Sequence, residues 1–376
     1  MKKLHYEKSG DNYALKDPFK VLALKGAYKT RKNLKRFKNS ELIISEITQS
    51  RGESAYRLSF SSKKAINFQI AHVEEGIGTK NIIADELAEK YGDKVYESVA
   101  IDNAASIFND LSTTGASPLS FLLHIAAYPT EWFSQTSKMQ AIINGTIKAC
   151  NIAGASWGGG ESPTMRDIIK TGKSLLSGSA MGIINPSKKA LSEEKIKIGD
   201  RIVLLGSSGV HTNGITLLRK ELVKRLPNGY ETKLSDGSIY GETLLTPTII
   251  YSHVVEELLK ATDIHYATHI TGHGWRKIMR SSRKLSYIVE EIPTPQPIFE
   301  LIKNYTNSTN HDMYGSYNMG AGFVLYAPNF SVKTILSICK KYKISVINSG
   351  YIANGEKSLK INPLGLSFTA KDMVLR

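Results

Sequence analysis

Cysteine is nearly absent: Cys150 and Cys339 are the only two in 376 residues, too few for a disulfide framework or a four-cysteine zinc site. That usage is consistent with a reducing cytoplasm. Long apolar runs are missing as well. Leu119 to Ala127 is among the most apolar stretches and is far too short to cross a bilayer, and no apolar segment follows the charged opening MKKLHYEKSG. A soluble, unexported, cytoplasmic protein without a membrane partner is expected. There is no short-period repeat and no low-complexity tract. Acidic residues are in deficit, 34 against 49 Lys and Arg, for a net charge of +15. Residues 1–40 hold twelve Lys/Arg and three Asp/Glu, so nine of those fifteen charges sit in the first forty residues. A basic arm of this kind either attracts phosphate or is a solvated, lysine-rich helix face. RNA-binding aromatics, a helix-turn-helix pattern and zinc-finger spacing are all lacking, which argues against a nucleic-acid partner.

A chain of this length exceeds what one core usually serves, so two domains of roughly 180 residues are expected. Past residue 65, helical and strand patterns interleave, giving an α/β (α+β) class. Ile66 to Val73 reads as a strand entering a glycine loop, and Asn81 to Tyr91 as a helix ended by Gly92. Leu119–Ala127 and Leu175–Ile184 read as strands around a helix over 135–153. Proline, serine and charge between Ile184 and Asp200 mark a break. The expected domains are therefore 1–186, with a basic arm over 1–65, and 187–376. In the second, strands are expected at Arg201–Gly206, Leu285–Val289 and Gly322–Tyr326. Helices are expected at Asn213–Leu226, Pro247–Ala261 and Val332–Tyr342.

Two stretches carry chemistry. In HVEEGIGTK, Glu74 and Glu75 precede a Gly-x-Gly-Thr-Lys run that matches neither a P-loop nor a dinucleotide fingerprint. Gly76 and Gly78 would let backbone N–H groups approach phosphate oxygens, and Lys80 would add a point charge. In IDNAASIFND, a helical projection puts Ala104, Ile107, Phe108 and Leu111 on one side, and Asp102, Ser106, Asn109 and Asp110 on the other. Asp102 reads first as the N-cap of a half-exposed helix. Asp110, near the helix end, opposes the macrodipole and needs another reason to be there. Magnesium at a nucleotide takes one or two carboxylates, and Glu75 with Asp110 would provide them.

The ordered series EGIGTK, IDNAASIFNDLSTTGASPLSFL, GGGESPTM, LLGSSGVHTNGITLLRK, THITGHG and DMYGSYNMGAGFVL resembles the aminoimidazole ribonucleotide synthetase family. These are the phosphoribosylformylglycinamidine cyclo-ligases of purine synthesis, within a superfamily that includes formylglycinamidine synthetase, selenophosphate synthetase and thiamine-phosphate kinase. The resemblance runs from about residue 66 to the C-terminus. It implies a two-domain fold whose N-terminal sheet pairs with its twin across a homodimer to make a barrel, with a C-terminal α/β domain enclosing the site. It implies ATP and Mg2+, with a small nucleotide substrate. Gly76, Gly78, Thr79, Lys80, Asn109, Asn213, Thr271 and Gly272 fall on ATP-binding positions, Glu75 and Asp110 on the metal-binding ones, and Lys80, His211 and Glu161 on catalytic ones. Glu161, in the Gly-Gly-Glu motif, is either a substrate-binding acid or a turn glutamate. Asn213 is equally explained as a helix cap. His211 is a group for proton transfer or phosphate contact, since a free imidazole titrates near ~6.5.

Several positions depart from the family pattern. Glu75 stands where Asp is usual and reaches about 1.5 Å further. Thr164, Arg166 and Leu175 replace Glu, Pro and Asp, and His273 replaces a glycine. His265, His269 and His273 recur every fourth residue, but Thr268, Ile270, Thr271 and Gly272 argue for a strand entering a turn rather than a zinc-binding helix face. Three functions remain: the cyclo-ligase, which the motif series favours, a paralogue phosphorylating another substrate, and a silent homologue that only binds.

Overall fold

The computed structural model describes residues 25–26, 29–37, 41–62 and 66–373. Residues 1–24, 27–28, 38–40 and 63–65 of the basic arm, read above as either attracting phosphate or forming a solvated face, lie outside the described residues. Two sheets organise the rest. The first has the order β1-β2-β3-β6-β4-β5, with β1 Ile43–Glu46, β2 Tyr56–Ser61, β3 Asn67–Gly76, β4 Ser117–Tyr128, β5 Ser156–Glu161 and β6 Lys173–Ile184. Only the β4–β5 pair is parallel. Helices α1 (Lys80–Tyr91), α2 (Val95–Ser112) and α3 (Thr136–Ala153) belong to this half. Gly92, with φ of 76°, ends α1 as its sequence requires.

Burial alternates along this sheet. On β6, Ser174, Leu176, Gly178 and Ala180 are buried, whereas Leu175, Ser177, Ser179 and Met181 are open or half-open. One face thus packs the helices and the other is uncovered. Leu119, Leu122, Leu175 and Met181 are exposed on the uncovered strands β4 and β6.

The second sheet has the order β13-β12-β9-β11-β7-β10-β8. Its strands are β7 Arg201–Gly206, β8 Tyr266–His269, β9 Leu285–Val289, β10 Ala321–Ala327, β11 Val346–Asn354, β12 Ser358–Ile361 and β13 Leu366–Thr369. All seven residues of β10, AGFVLYA, are buried, the pattern of a strand covered on both faces. Around it lie α4 (Ser252–Ala261), α5 (Pro297–Thr306), α6 (Asn310–Ser316) and α7 (Val332–Lys341). Val254, Val255 and Leu258 of α4 and Ile335, Ile338 and Cys339 of α7 form a core with Val203, Leu205, Phe323 and Leu325. Both thiols are free and buried; burial pushes Cys150 up to about 11 and Cys339 up to about 12.

Three helix expectations need correction. The acidic helix starts at Val95, so Asp102 lies mid-helix and is no N-cap. Its polar side is not half-exposed either: Asp102, Asn109 and Asp110 are buried, because that side meets the second half of the chain. The helix expected from Asn213 begins at Ile215 and runs into a π-helical turn, Leu218–Leu222. Gly214, with φ of 71° and no side-chain cap, occupies the N-cap position, so Asn213 is not the cap. Finally, Pro247–Tyr251 is not helical; α4 starts at Ser252. That extended segment leaves backbone groups free for partners elsewhere, and α2 supplies them.

Candidate active site

β3 ends at Gly76, and after Ile77, Gly78 and Thr79 the chain enters α1 at Lys80. Gly76 and Gly78 are exposed, and Gly78 has φ of 74°, a conformation only glycine adopts without strain. An exposed glycine turn ahead of a twelve-residue helix presents backbone N–H groups and the positive end of the macrodipole to an anion. Thr79 Oγ1 lies 2.9 Å from Thr216 Oγ1, which ties this loop to the helical turn Ile215–Leu217 of the second half, just after half-buried Asn213.

Lys80 does something other than the sequence suggests. Its side chain is wholly buried, with Nζ 2.6 Å from Asp102 Oδ2, itself wholly buried. The same ammonium donates to His211 O at 3.3 Å and Thr246 O at 3.0 Å. All three donors are engaged, so the expected phosphate-facing charge is corrected to an anchor beneath the loop. Thr248 donates both N–H and hydroxyl to Asp102 Oδ1. Burial holds the Asp102 carboxyl above its usual range, the Lys80 ammonium and Thr248 hydrogen bonds offsetting only part of the rise. With donors at both oxygens and no acceptor beside them, the carboxylate form fits this setting.

Asn109 continues the seam one helical stretch on. Its Nδ2 donates to Ile249 O at 2.8 Å, and its Oδ1 accepts from Tyr251 N at 2.9 Å. Both ends of the buried amide are held by backbone of the second half, which makes Asn109 a clamp between the halves. Asp110 Oδ1 lies 2.6 Å from His269 Nδ1 at the end of β8. Burial raises this carboxyl, but the His269 hydrogen bond, the His269 charge and the more distant Lys277 and Arg280 outweigh it, and the group is held below the usual carboxylate range. Thr271 and Gly272 follow His269 directly. Thr271 accepts a hydrogen bond from Lys277 Nζ, and its carbonyl accepts from Gly274 N at 2.7 Å.

His211 is also inside this seam, only 2% exposed. Its backbone is left-handed, with φ of 55°, and its Nε2 accepts from Ser208 N at 3.2 Å. The proton therefore sits on Nδ1, which has no hydrogen-bond partner among the described residues. Burial, with the His269 and Lys80 charges nearby, holds the imidazole well below its usual range. The expectation of an imidazole titrating near its free value is corrected: His211 is neutral and enclosed. The sign of its effect follows. An unfolded His protonates near ~6.5 and the folded one does not, so stability is full above that pH and falls below it by up to about 1.4 kcal/mol per pH unit. His211→Gln should flatten the pH 5–6.5 arm of a urea-melt stability profile. An unchanged slope would show that His211 does not contribute it.

Glu75, next to last on β3, is exposed and pairs with Gly178. Among the described residues no group of three or more His, Cys, Asp or Glu is placed to hold a metal ion. A nucleotide-bound magnesium needs no such cage, since phosphate oxygens and water complete its shell. Glu75 and Asp110 offer oxygen donors of the right kind, Asp110 in its ionised form. His265, His269 and His273 do not gather as a metal site: His265 Nδ1 pairs with Asp200 Oδ2 at 2.7 Å, and His269 with Asp110.

Glu161 stands apart from the seam. It ends β5, is exposed, and accepts from Ser162 N at 3.2 Å. Gly160 before it is obligatory, because a Cβ there would lie 1.6 Å from Leu123 O. Sequence reasoning missed His269 and Thr248 as seam partners. The signal available was an acid inside an apolar helix, Asp102, with Asn109 and Asp110 seven and eight residues later on the same side.

Comparison with known proteins gives the chain a place. The model described as AIR synthase related protein, N-terminal domain, matches residues 65–184, and the corresponding C-terminal domain matches residues 197–360. A phosphoribosylformylglycinamidine cyclo-ligase of Methanococcus maripaludis is 32% identical over 289 residues, which is 77% of this chain and 78% of that protein. The crystal structure of a HypE-HypF complex aligns with a TM-score of 0.57 at 16% identity, covering 84% of this chain and 92% of the matched one. Thiamine-monophosphate kinase from Stenotrophomonas maltophilia aligns with a TM-score of 0.56 at 15% identity, covering 90% and 96%. At those identities the structures speak to fold alone: two domains of mixed α/β structure, the first built on an open sheet and the second on a curled one. With both domain models matched in order and close to a third of residues shared with a curated relative over three-quarters of each chain, this protein belongs to the AIR synthase-related family of ATP-using enzymes.

Proposed function

We propose that this chain is an ATP-dependent cyclo-ligase that converts formylglycinamidine ribonucleotide to aminoimidazole ribonucleotide, releasing ADP and phosphate. The observation that carries it is the exposed Gly76–Thr79 loop opening α1, in a chain whose curated relatives are named for that reaction over most of their length. The substrate's formyl oxygen attacks the γ-phosphorus of ATP and the bond to ADP breaks. An amidine nitrogen then attacks the activated carbon and loses its proton, the ring closes, and the C–O bond breaks to release phosphate. Such chemistry asks the protein for positioning and charge neutralisation. Backbone N–H groups of Gly76, Gly78 and Thr79 would bind phosphate, the Ile77 N–H being donated to Leu176 O, with Asn213 and the Thr271–Gly272 turn completing the nucleotide site. Glu161 would bind the substrate, and Lys80 with Asn109 would hold the loop against the second domain. Magnesium held by Glu75 and Asp110 would neutralise phosphate charge.

Two structural readings accompany this one. The chain divides near residue 186, between the last strand of the first sheet and the first strand of the second. The uncovered face with Leu119, Leu122, Leu175 and Met181 meets the same face of a second copy and closes a barrel across a homodimer. Light scattering should give twice the 41.5 kDa chain mass, and Leu122→Lys with Met181→Lys should give monomer; a dimer that survives both would place the interface elsewhere.

The enzymatic test uses pure protein with formylglycinamidine ribonucleotide, ATP and magnesium. Imidazole product formed with equal ADP supports the reading. ATP binding without imidazole product shifts the assignment to a kinase of another substrate or to a silent binder.

A further inference from the structure

The uncovered face of the first sheet holds a row of polar residues that no motif accounts for. Gly76 of β3 pairs with Ser177 of β6, Ser177 with His124 of β4, and His124 with Glu161 of β5. Directly paired residues on neighbouring strands share a face, so these four form one line across the sheet. A Cβ added to Gly76 would come within 3.7 Å of Ser177 Cβ, which places Gly76 on that same side. The line joins the two stretches assigned separately to phosphate and to substrate. With strands about 4.8 Å apart, three spacings separate Gly76 from Glu161 by about 14 Å, and His124 stands one strand from the acid and two from the glycine loop.

Beyond the row the face is mixed. Two residues along the same strands in one direction come Glu74, Ser179 and Leu122, and then His72 and Met181; two residues the other way come Leu175 and Ala126, so exposed apolar side chains flank the row on both sides. His124 is half-buried. Its Nδ1 lies 3.1 Å from Ser177 Oγ, while Nε2 makes no hydrogen bond among the described residues. Ser177 is itself held from behind, its carbonyl accepting from Asn103 Nδ2 of α2 at 3.1 Å. The imidazole is thus fixed through one nitrogen by a serine on a pinned strand, with Glu161 paired to it on the strand at its other side.

We propose that His124 contacts the substrate between the glycine loop and Glu161, its Nε2–H donating to a phosphoryl or carbonyl oxygen, and that Ser177 positions the ring. This rests on the cyclo-ligase reading for the identity of the substrate. It adds a contact that the glycine loop, the acids and Glu161 do not supply: a neutral or cationic donor at the point where oxygen changes from formyl carbon to phosphate. A residue in that place acts on turnover and substrate affinity and leaves ATP binding alone.

The test compares wild type with His124→Ala, His124→Gln and Ser177→Ala. His124→Ala should lower kcat/KM about 10- to 100-fold, as loss of one hydrogen bond to a charged or polarised oxygen does, while Kd for an ATP analogue and the melting temperature stay as in wild type. His124→Gln, whose side-chain amide can take the place of Nε2–H, should recover part of that loss. Ser177→Ala should cost about 3- to 10-fold alone and add nothing to His124→Ala, because it acts through the ring. A second readout is independent of turnover. In protein loaded with an ATP analogue, the His124 imidazole nitrogen resonances, identified by their loss in His124→Gln, should shift on titration with formylglycinamidine ribonucleotide. Wild-type kcat/KM in His124→Ala, or full additivity of the two alanine variants, would overturn the proposal and leave the cyclo-ligase reading standing. Absence of imidazole product from wild type would instead remove that reading, and the shift would still decide the contact: present, it stands; absent, it falls.

Discussion

Lys80→Met is expected to destabilise the fold by about 3–5 kcal/mol, the usual consequence of removing one partner from a buried ion pair. Lys80 and Asp102 are both fully buried with their charged atoms 2.6 Å apart, and the ammonium also satisfies the carbonyls of His211 and Thr246. Methionine would leave Asp102 in apolar surroundings with only Thr248 for company and strand two backbone oxygens at the domain seam. The pair as a whole contributes far less than that loss, since its attraction is largely offset by the desolvation of both ions. The double variant Lys80→Met, Asp102→Asn removes both charges and keeps an acceptor for the Thr248 donors. It should recover a clear part of the loss, with a coupling of about 0.5–3 kcal/mol in a double-mutant cycle of urea midpoints. Additive single effects would mean that the two side chains do not act as a unit. Activity separates the roles further. If Lys80 only anchors the loop, residual folded double variant retains turnover in proportion to its folded fraction. If the ammonium is needed at the phosphates, stability returns and turnover does not.

The contrast between what was legible and what was not follows from the range of the forces involved. Elements set by local signals were readable. Gly92 ends α1, β4 and β6 extend the expected strands by a few residues, and β10 is the buried apolar run its composition implies. The motif series also placed the chain in its family. Burial across a domain boundary was not readable. On a helical projection Asp102, Asn109 and Asp110 form the polar side of an amphipathic helix, and such a side is ordinarily solvated. Here it is covered by residues 246–251 and His269, more than a hundred positions later. Nothing within a few residues of Asp102 encodes Thr248. The same holds for His211, whose proton-transfer reading assumed an ordinary environment that its enclosure removes. Residues assigned to ligand contact on motif grounds thus divide into two physical groups. Gly76, Gly78, Glu75 and Glu161 are exposed at strand ends, while Lys80, Asn109 and His211 are engaged or enclosed in the joint between domains.

Asp110 stands between those groups, and Asp110→Asn should separate them. Asparagine keeps an oxygen to accept from His269 Nδ1 and nearly the same volume, so the joint should persist with a stability change of about 1–2 kcal/mol, that of a weakened charge-assisted hydrogen bond. What the substitution removes is the charge. If Asp110 is a magnesium ligand, turnover should fall about 10²- to 10³-fold, comparable to losing one preorganised electrostatic contact in other enzymes, and the magnesium concentration for half-maximal rate should rise. His269→Gln tests the other side of the pair. It retains a donor toward Asp110 but cannot become cationic, and it should leave the magnesium requirement closer to wild type than Asp110→Asn does. The low pKa of Asp110 bears on the outcome. A carboxyl held below its usual range by His269 and by the charges of Lys277 and Arg280 is fully ionised at neutral pH, with no proton for an arriving cation to displace. A metal role therefore predicts a magnesium requirement that is flat from pH 6 to 8 for this residue, whereas a purely structural Asp110 predicts that the asparagine variant matches wild type in both rate and magnesium dependence.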